Sequence, residues 1–121
     1  MSFDSFQVRV DEWLTACFST FVRKDKGERT HRFLEESIEL AQANGCSHDD
    51  AKALVDYVYG RPKGQPELEA GGVLVTLAGL CTATGIDLEK AGEMELTRNW
   101  ARIEVIRQKG ARAPLDSPLP E

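Results

Sequence analysis

The sequence has no excess of basic residues, and this absence limits the kinds of partner that the protein is expected to bind. Its 15 lysines and arginines stand against 20 aspartates and glutamates, so the net charge is −5 and the pI is about 5.1. Proteins that bind nucleic acids need a basic surface to neutralise phosphates. The composition therefore argues against a nucleic-acid partner. It does not exclude a small phosphorylated ligand, because a bound cation reverses the local charge.

Cysteine is scarce, and its spacing excludes the usual disulfide and zinc patterns. The three cysteines, Cys17, Cys46 and Cys81, are odd in number and widely spaced, and none belongs to a C-x-x-C motif. Each lies in or beside an apolar stretch. We expect packed, reduced thiols of the kind found in cytosolic proteins.

Long apolar runs are also missing. The longest apolar segment, residues 70–83, is too short to span a bilayer as a helix and is rich in glycine and threonine. The opening residues MSFDSFQVRVDEW lack the basic start and apolar run of a signal peptide. We therefore expect a cytoplasmic protein with no membrane partner.

Apolar residues recur at helical spacing through most of the chain, and no strand pair carries a hairpin signal. Asn44-Gly45 and Gly85 mark helix ends, whereas Ser47 and Asp87 are typical N-caps. The predicted helices cover about 3–22, 29–44, 48–59, 67–84 and 88–109. The sequence thus predicts an all-α, four-to-five-helix bundle formed by one domain over residues 1–109. The proline-rich residues 110–121 are predicted to be an extended tail.

Three glutamates lie together on the predicted second helix, in the stretch FLEESIELAQ. Glu35, Glu36 and Glu39 fall within about 100° of one another, opposite an apolar face. None has a lysine or arginine four residues later, and Arg32 can reach Glu36 but cannot neutralise all three. A solvated acidic face is one interpretation. The alternative is a site at which Mg²⁺ supplies the missing positive charge.

The predicted fourth helix is apolar or small on every side between residues 70 and 83, which is typical of a helix buried all round. In so small a protein, we expect another subunit to supply part of that cover. Glu69 lies in the first turn of this helix. It is either a surface acid that stabilises the helix N-terminus or a carboxylate that requires a buried partner.

The predicted fifth helix carries Glu95, Asn99 and Arg102 along its apolar side. A polar residue on the apolar face of a helix is expected to have a polar partner, because burial of an unpaired polar group is costly. One interpretation is a network of hydrogen bonds between helices. The other is a pocket wall in which Asn99 offers amide contacts and Arg102 meets a phosphate.

These motifs together resemble the all-α nucleoside triphosphate pyrophosphohydrolases of the MazG type, in particular a compact branch from bacteria and their phages. The hallmark of that family is E-E-x-x-E on one helix and E-x-x-D on the next. The similarity extends from Asp11 to Lys109. It implies hydrolysis of an NTP or dNTP to the monophosphate and pyrophosphate, with two or three Mg²⁺ or Mn²⁺ ions per site. It also implies a homo-oligomer, a dimer or a tetramer, with sites near the subunit interfaces.

The resemblance also implies roles for individual residues. Glu36 and Glu39 match the core metal ligands, Glu69 matches the glutamate of E-x-x-D, and Glu35 matches a residue that activates water or contacts a further metal. The chain departs from the pattern at Gly72, where the family has aspartate. The residues expected to contact substrate are Arg29, His31, Arg32, Glu95, Asn99, Arg102 and Trp13.

The resemblance to the compact branch favours a purine dNTP as substrate, dGTP first and dATP second, and a role in controlling the nucleotide pool. Two alternatives remain open. The departure at Gly72 favours a catalytically weak nucleotide or metal sensor on the same scaffold. The third interpretation is a helical interaction module whose glutamates form a solvated face.

Overall fold

A computed structural model describes residues 3–109, which form seven α-helices and, within that range, no β-strand. The helices are α1 (Phe3–Cys17), α2 (Thr20–Arg23), α3 (Lys26–Ala43), α4 (His48–Tyr59), α5 (Pro66–Thr84), α6 (Leu88–Ala101) and α7 (Ile103–Lys109). The all-α prediction is confirmed. The predicted tail, residues 110–121, lies outside the described residues.

Local capping chemistry explains why the central helices begin and end where the sequence predicts. The Ser47 hydroxyl accepts a hydrogen bond from the Asp50 amide at 3.1 Å and starts α4. Gly85 adopts the left-handed conformation, with φ of 72°, and ends α5. The Asp87 carboxylate then accepts from the Lys90 amide at 3.0 Å at the start of α6. These caps satisfy backbone groups that would otherwise lack a partner within each helix.

The prediction of one continuous first helix over residues 3–22 is wrong, because the helix is interrupted after Cys17. Ser19 takes an extended conformation and its hydroxyl accepts from the Val22 amide at 3.3 Å, so a new short helix, α2, begins at Thr20. Serine competes with a continuous helix by bonding to nearby backbone groups. The next helix, α3, begins at Lys26 rather than at residue 29.

The predicted last helix is also interrupted, at Arg102. The Arg102 amide donates to the Asn99 carbonyl at 3.2 Å, which is the tighter i−3 pattern of a 3₁₀ turn. The helix then resumes as α7 at Ile103.

The chain divides into two compact units. Unit 1 comprises residues 1–37 and 92–121, and unit 2 comprises residues 38–91. In the described part of unit 1, α1 packs against α2 and α7, and Cys17, Glu28 and Leu96 are buried. In unit 2, Cys81 on α5 is buried. Cys17 and Cys81 are thus packed free thiols as predicted, and Cys46 is half-buried.

Within the described chain α5 is covered on one side only, and the predicted cover by another subunit stays a prediction. Leu77 and Leu80 are half-buried beside Cys81, whereas Leu68 and Val75 each keep 71% of their surface exposed. The large apolar side chains of α4 are exposed as well: Leu54, Val55, Tyr57, Val58 and Tyr59. An apolar composition predicts contact with other apolar groups, and the described residues of unit 2 cover only one side of α5.

A search of the described residues for membrane spans finds no single helix long and apolar enough to cross a bilayer. The helices α5 and α6 reach the length and apolar composition of a membrane span only when they are taken together as a bent pair.

Candidate functional site

The acidic cluster of the sequence lies on the middle of α3. This helix starts where the Asp25 carboxylate accepts a hydrogen bond from the Glu28 amide at 3.2 Å. Glu35 is half-buried, whereas Glu36 and Glu39 are exposed. Within a helix, residues three or four positions apart are neighbours, so the three carboxylates share one side of α3. Two of them are therefore accessible from solvent to a ligand.

Arg32 pairs with Glu35 and also lies close to Glu28. Its Nη1 donates to Glu35 Oε1 at 2.8 Å, and its Nε lies 3.4 Å from Glu28 Oε1. The guanidinium therefore lies between a carboxylate one turn before it and another one turn after it. The hydrogen bond with Glu95 raises the pKa of Arg98 above its ordinary value, and the charge of Glu36 adds a smaller contribution in the same direction. The cluster therefore has more basic neighbours than the sequence indicated.

Glu28 is the most buried charged residue that the structure describes, and the sequence analysis missed it. Its exposed fraction is 2%, and Oε1 lies 3.6 Å from Arg29 Nη2 as well as 3.4 Å from Arg32 Nε. Its other carboxylate oxygen has no hydrogen-bond partner among the described residues. Glutamates are rarely fully buried unless they are paired. The available signal was its position, one and four residues before two arginines.

Arg29 and Trp13, both predicted to contact substrate, approach the same aromatic ring in unit 1. The Arg29 guanidinium lies 5.5 Å from the centre of the Phe18 ring, and the Trp13 ring meets Phe18 edge-on with centroids 6.2 Å apart. Such contacts orient both side chains. His31 on α3 is half-buried. Trp13 therefore has a packing role in this chain, and stacking on a base remains a prediction.

Glu69 lies in unit 2, exposed in the first turn of α5. Its carboxylate lies so close to Gly64 that it occupies the space a side-chain Cβ would need at that position. The absence of a side chain at Gly64 thus lets the loop before α5 approach the carboxylate. At Gly72, where the family pattern has aspartate, an added Cβ would meet no atom of the described residues within 4 Å.

On α6, Glu95 forms a two-point ion pair with Arg98 rather than facing an apolar wall. Arg98 Nε and Nη2 donate to the two Glu95 oxygens at 3.1 and 3.0 Å, and both side chains are more than half exposed. Asn99 is half-buried and Arg102 is exposed at the turn between α6 and α7. Arg98 is a basic neighbour of the site that sequence reasoning did not single out.

A further ion pair in unit 1 joins α1 to α6, between Arg9 and Glu93. The hydrogen bond from Arg9 to Glu93 raises the pKa of Arg9 above its ordinary value, with an added electrostatic contribution from Glu12. The stability that this charged form contributes is present below the ordinary arginine pKa, so it persists throughout the physiological pH range.

The carboxylates offer the oxygen ligands that Mg²⁺ and Mn²⁺ prefer. Within residues 3–109, however, no three histidine, cysteine, aspartate or glutamate side chains form a group able to hold a metal ion. The described chain therefore presents accessible carboxylates without a preformed three-ligand centre.

Residues 3–109 are thus all-helical outside their turns, and within α3 two arginines come before the cluster of carboxylates. Comparison of the chain with protein-family models, with curated proteins and with solved structures gave no match.

Proposed function

We propose that the protein is a metal-dependent (d)NTP pyrophosphohydrolase that converts a dNTP and water to a dNMP and pyrophosphate. The observation that carries the proposal is the order of charges along α3. Arg29 and Arg32 come first, and the exposed carboxylates of Glu36 and Glu39 follow about one to three turns later. Basic groups suit the phosphates, and the carboxylates suit the cations that accompany them.

The absence of a three-ligand group among the described residues is compatible with this proposal. Mg²⁺ usually keeps several waters and is held by one or two carboxylates together with substrate phosphates. Glu36 and Glu39 are the first candidates, and Glu35 and Glu69 are the further ones that the family resemblance implies. When bound, the metal would neutralise the triphosphate and favour deprotonation of a bound water.

The proposed substrate is a purine dNTP, dGTP before dATP, and the proposed location is the cytoplasm. His31, Asn99, Arg102 and Trp13 are the proposed substrate contacts, on the strength of the resemblance. We also propose a homo-oligomer with sites near the subunit interfaces, which the exposed apolar surface of α4 and α5 supports.

The proposal is tested by measuring pyrophosphate and orthophosphate release from each NTP and dNTP, with Mg²⁺ and with Mn²⁺. We expect pyrophosphate from one or two purine dNTPs. Glu36→Gln and Glu39→Gln should each lower kcat at least 100-fold while circular dichroism shows an unchanged fold. Asp56→Asn, an exposed acid on α4, is the matched control and should retain full activity. Unchanged turnover in both glutamine variants would refute the assignment.

A nucleotide or metal sensor is the second candidate, and the departure at Gly72 favours it. Such a protein binds dGTP in the presence of Mn²⁺ but releases neither pyrophosphate nor orthophosphate. Calorimetry with dGTP and Mn²⁺ separates this case from a pure interaction module, which would bind neither ligand.

A further inference from the structure

The guanidinium of Arg29, near the start of α3, is held in place but makes few polar contacts. It lies 5.5 Å from the centre of the Phe18 ring, and its Nη2 lies 3.6 Å from Glu28 Oε1. That separation is too long for a hydrogen bond. Arg29 Nε is buried and has no hydrogen-bond partner among residues 3–109. Because a guanidinium carries five N–H donors in one plane, this side chain has donors to offer to a further group.

Glu28 and Phe18 set the position of that guanidinium. The Glu28 side chain is 2% exposed, and within the described part of the chain its ion-pair partners are Arg29 and Arg32. Its Oε2 accepts no hydrogen bond from a described residue. A buried carboxylate of this kind attracts nearby cations strongly, because little water screens its charge. The half-buried Phe18 ring adds a cation–π contact to Arg29.

The group that completes these contacts must be a hydrogen-bond acceptor. The Arg29 side chain keeps 29% of its surface exposed, so a ligand can reach it. Trp13 meets the same Phe18 ring edge-on, and its Nε1 is buried with no partner in the described structure. Buried polar atoms without a partner require a water, an ion or a ligand. Both of these atoms beside the Phe18 ring are N–H donors.

A phosphate oxygen is the acceptor that suits Arg29 best. The planar guanidinium matches phosphate oxygens in a bidentate way, and such charge-assisted hydrogen bonds are stronger than neutral ones. Arg29 and Glu36 are seven residues apart on α3, so they share nearly one side of the helix at about 10 Å from each other. Arg29 and a cation held at Glu36 can therefore contact the two ends of one polyphosphate chain.

We propose that Glu28 and Phe18 are positioning residues that hold the Arg29 guanidinium against the polyphosphate of the substrate. The identity of that polyphosphate rests on the proposed hydrolase function. The roles of Glu28 and Phe18 go beyond the residues that the family resemblance implies. Glu28 acts through Arg29 and does not itself contact phosphate, because two anions repel each other.

The positioning role and the charge of Glu28 have opposite effects on anion binding. Glu28→Gln removes a negative charge, so a purely electrostatic effect would tighten the binding of an anion. Loss of positioning would weaken binding instead, because the Arg29 side chain would then have to be ordered when the anion binds. The direction of the change in affinity therefore distinguishes the two.

The test is calorimetry of the full chain with inorganic triphosphate in the absence of divalent cations, so that binding does not depend on a metal. The native chain should bind triphosphate. Arg29→Lys, which keeps the charge but loses the planar fork, should weaken binding at least 10-fold. Glu28→Gln and Phe18→Leu should each weaken it at least 5-fold. No binding by the native chain would overturn the proposal, and so would unchanged or tighter binding by Glu28→Gln.

A double-mutant cycle separates positioning from a merely structural role. If Glu28 acts through Arg29, then Glu28→Gln in the Arg29→Lys background should cause no further loss of affinity. A structural role would weaken binding equally in both backgrounds, and that result would contradict the proposal. Circular dichroism checks the helix content of each variant. Phe18→Leu takes the place of Glu28→Gln in the cycle if the latter does not fold.

The matched control is Arg61→Lys in unit 2, an exposed arginine whose guanidinium lies 4.4 Å from the centre of the Tyr57 ring. It has the same kind of ring contact as Arg29, and its substitution should leave the affinity for triphosphate unchanged. A loss equal to that of Arg29→Lys would overturn the assignment of the anion site to Arg29.

Pyrophosphate release measured on the same samples keeps this proposal apart from the hydrolase proposal. Triphosphate binding that follows the pattern above, without hydrolysis of any nucleotide, would refute the hydrolase and support the positioning role. Hydrolysis together with an affinity that Glu28→Gln leaves unchanged would refute the positioning role alone. If both proposals hold, Glu28→Gln should raise KM at least 5-fold and change kcat by a smaller factor.

Discussion

At the scale of single residues, Glu28 links the start of α3 to the acidic cluster. Its buried carboxylate lies near Arg29 and Arg32, and Arg32 in turn donates to Glu35. We therefore predict that Glu28→Gln lowers the free energy of unfolding by about 1–3 kcal/mol, because Arg29 and Arg32, both poorly solvated, lose a buried negative charge and Arg32 keeps only Glu35. Urea denaturation measures the change.

The control for this prediction is Glu12→Gln, an exposed glutamate on α1, which should change stability by less than about 0.5 kcal/mol. A Glu28→Gln variant as stable as the native chain would show that the buried ion pairs make no net contribution.

The second residue-scale prediction concerns Gly64 and Glu69. Alanine at position 64 would displace the Glu69 carboxylate, the flexible end of an exposed side chain. We expect Gly64→Ala to keep native stability within about 0.5 kcal/mol. If Glu69 is a metal ligand, Gly64→Ala and Glu69→Gln should both weaken Mn²⁺ binding, measured by calorimetry. Unaltered Mn²⁺ affinity in Glu69→Gln would remove Glu69 from the proposed ligand set.

The positions of Glu35, Glu36 and Glu39 on one side of a helix were predictable, because helical periodicity alone determines them. The contacts of Arg32 with both Glu28 and Glu35 were not, since several carboxylates lie within its reach along the helix. The burial of Glu28 was also unpredictable, because it depends on packing within unit 1 rather than on the local pattern. Ion pairs that depend on the direction of the side chains can be assigned only from the three-dimensional structure.

At the scale of helices, two serines with opposite roles provide a matched test. The Ser47 hydroxyl caps α4, whereas the Ser37 hydroxyl donates to the Phe33 carbonyl within α3. Ser47→Ala should lower the free energy of unfolding by about 0.5–2 kcal/mol. Ser37→Ala should be neutral or slightly stabilising, because alanine is the better residue inside a helix. Thermal and urea unfolding of both variants measure the difference, and equal losses would contradict the capping role.

The same capping chemistry explains which helix boundaries the sequence revealed. The ends at Ser47, Gly85 and Asp87 carry strong local signals. The interruptions after Cys17 and at Arg102 do not, since apolar residues continue at helical spacing across both. The periodicity of apolar residues indicates which side of a helix packs against other groups. It does not indicate a single residue whose backbone leaves the helical conformation.

At the scale of the whole molecule, the proposed oligomer would bury part of the exposed apolar surface of α4 and α5, so its stability would depend on protein concentration. If a second copy covers α5, Tm should rise with protein concentration, by roughly 2–6 °C for each tenfold increase. Differential scanning calorimetry at 1, 10 and 100 μM measures this. Gly79→Leu, at an exposed position of α5, should flatten the dependence, and Gly27→Leu on α3 should preserve it. A Tm independent of concentration in the native chain would show that dissociation does not accompany unfolding. Because a hydrophobic surface of this size is costly in water, that result would require another cover for α5.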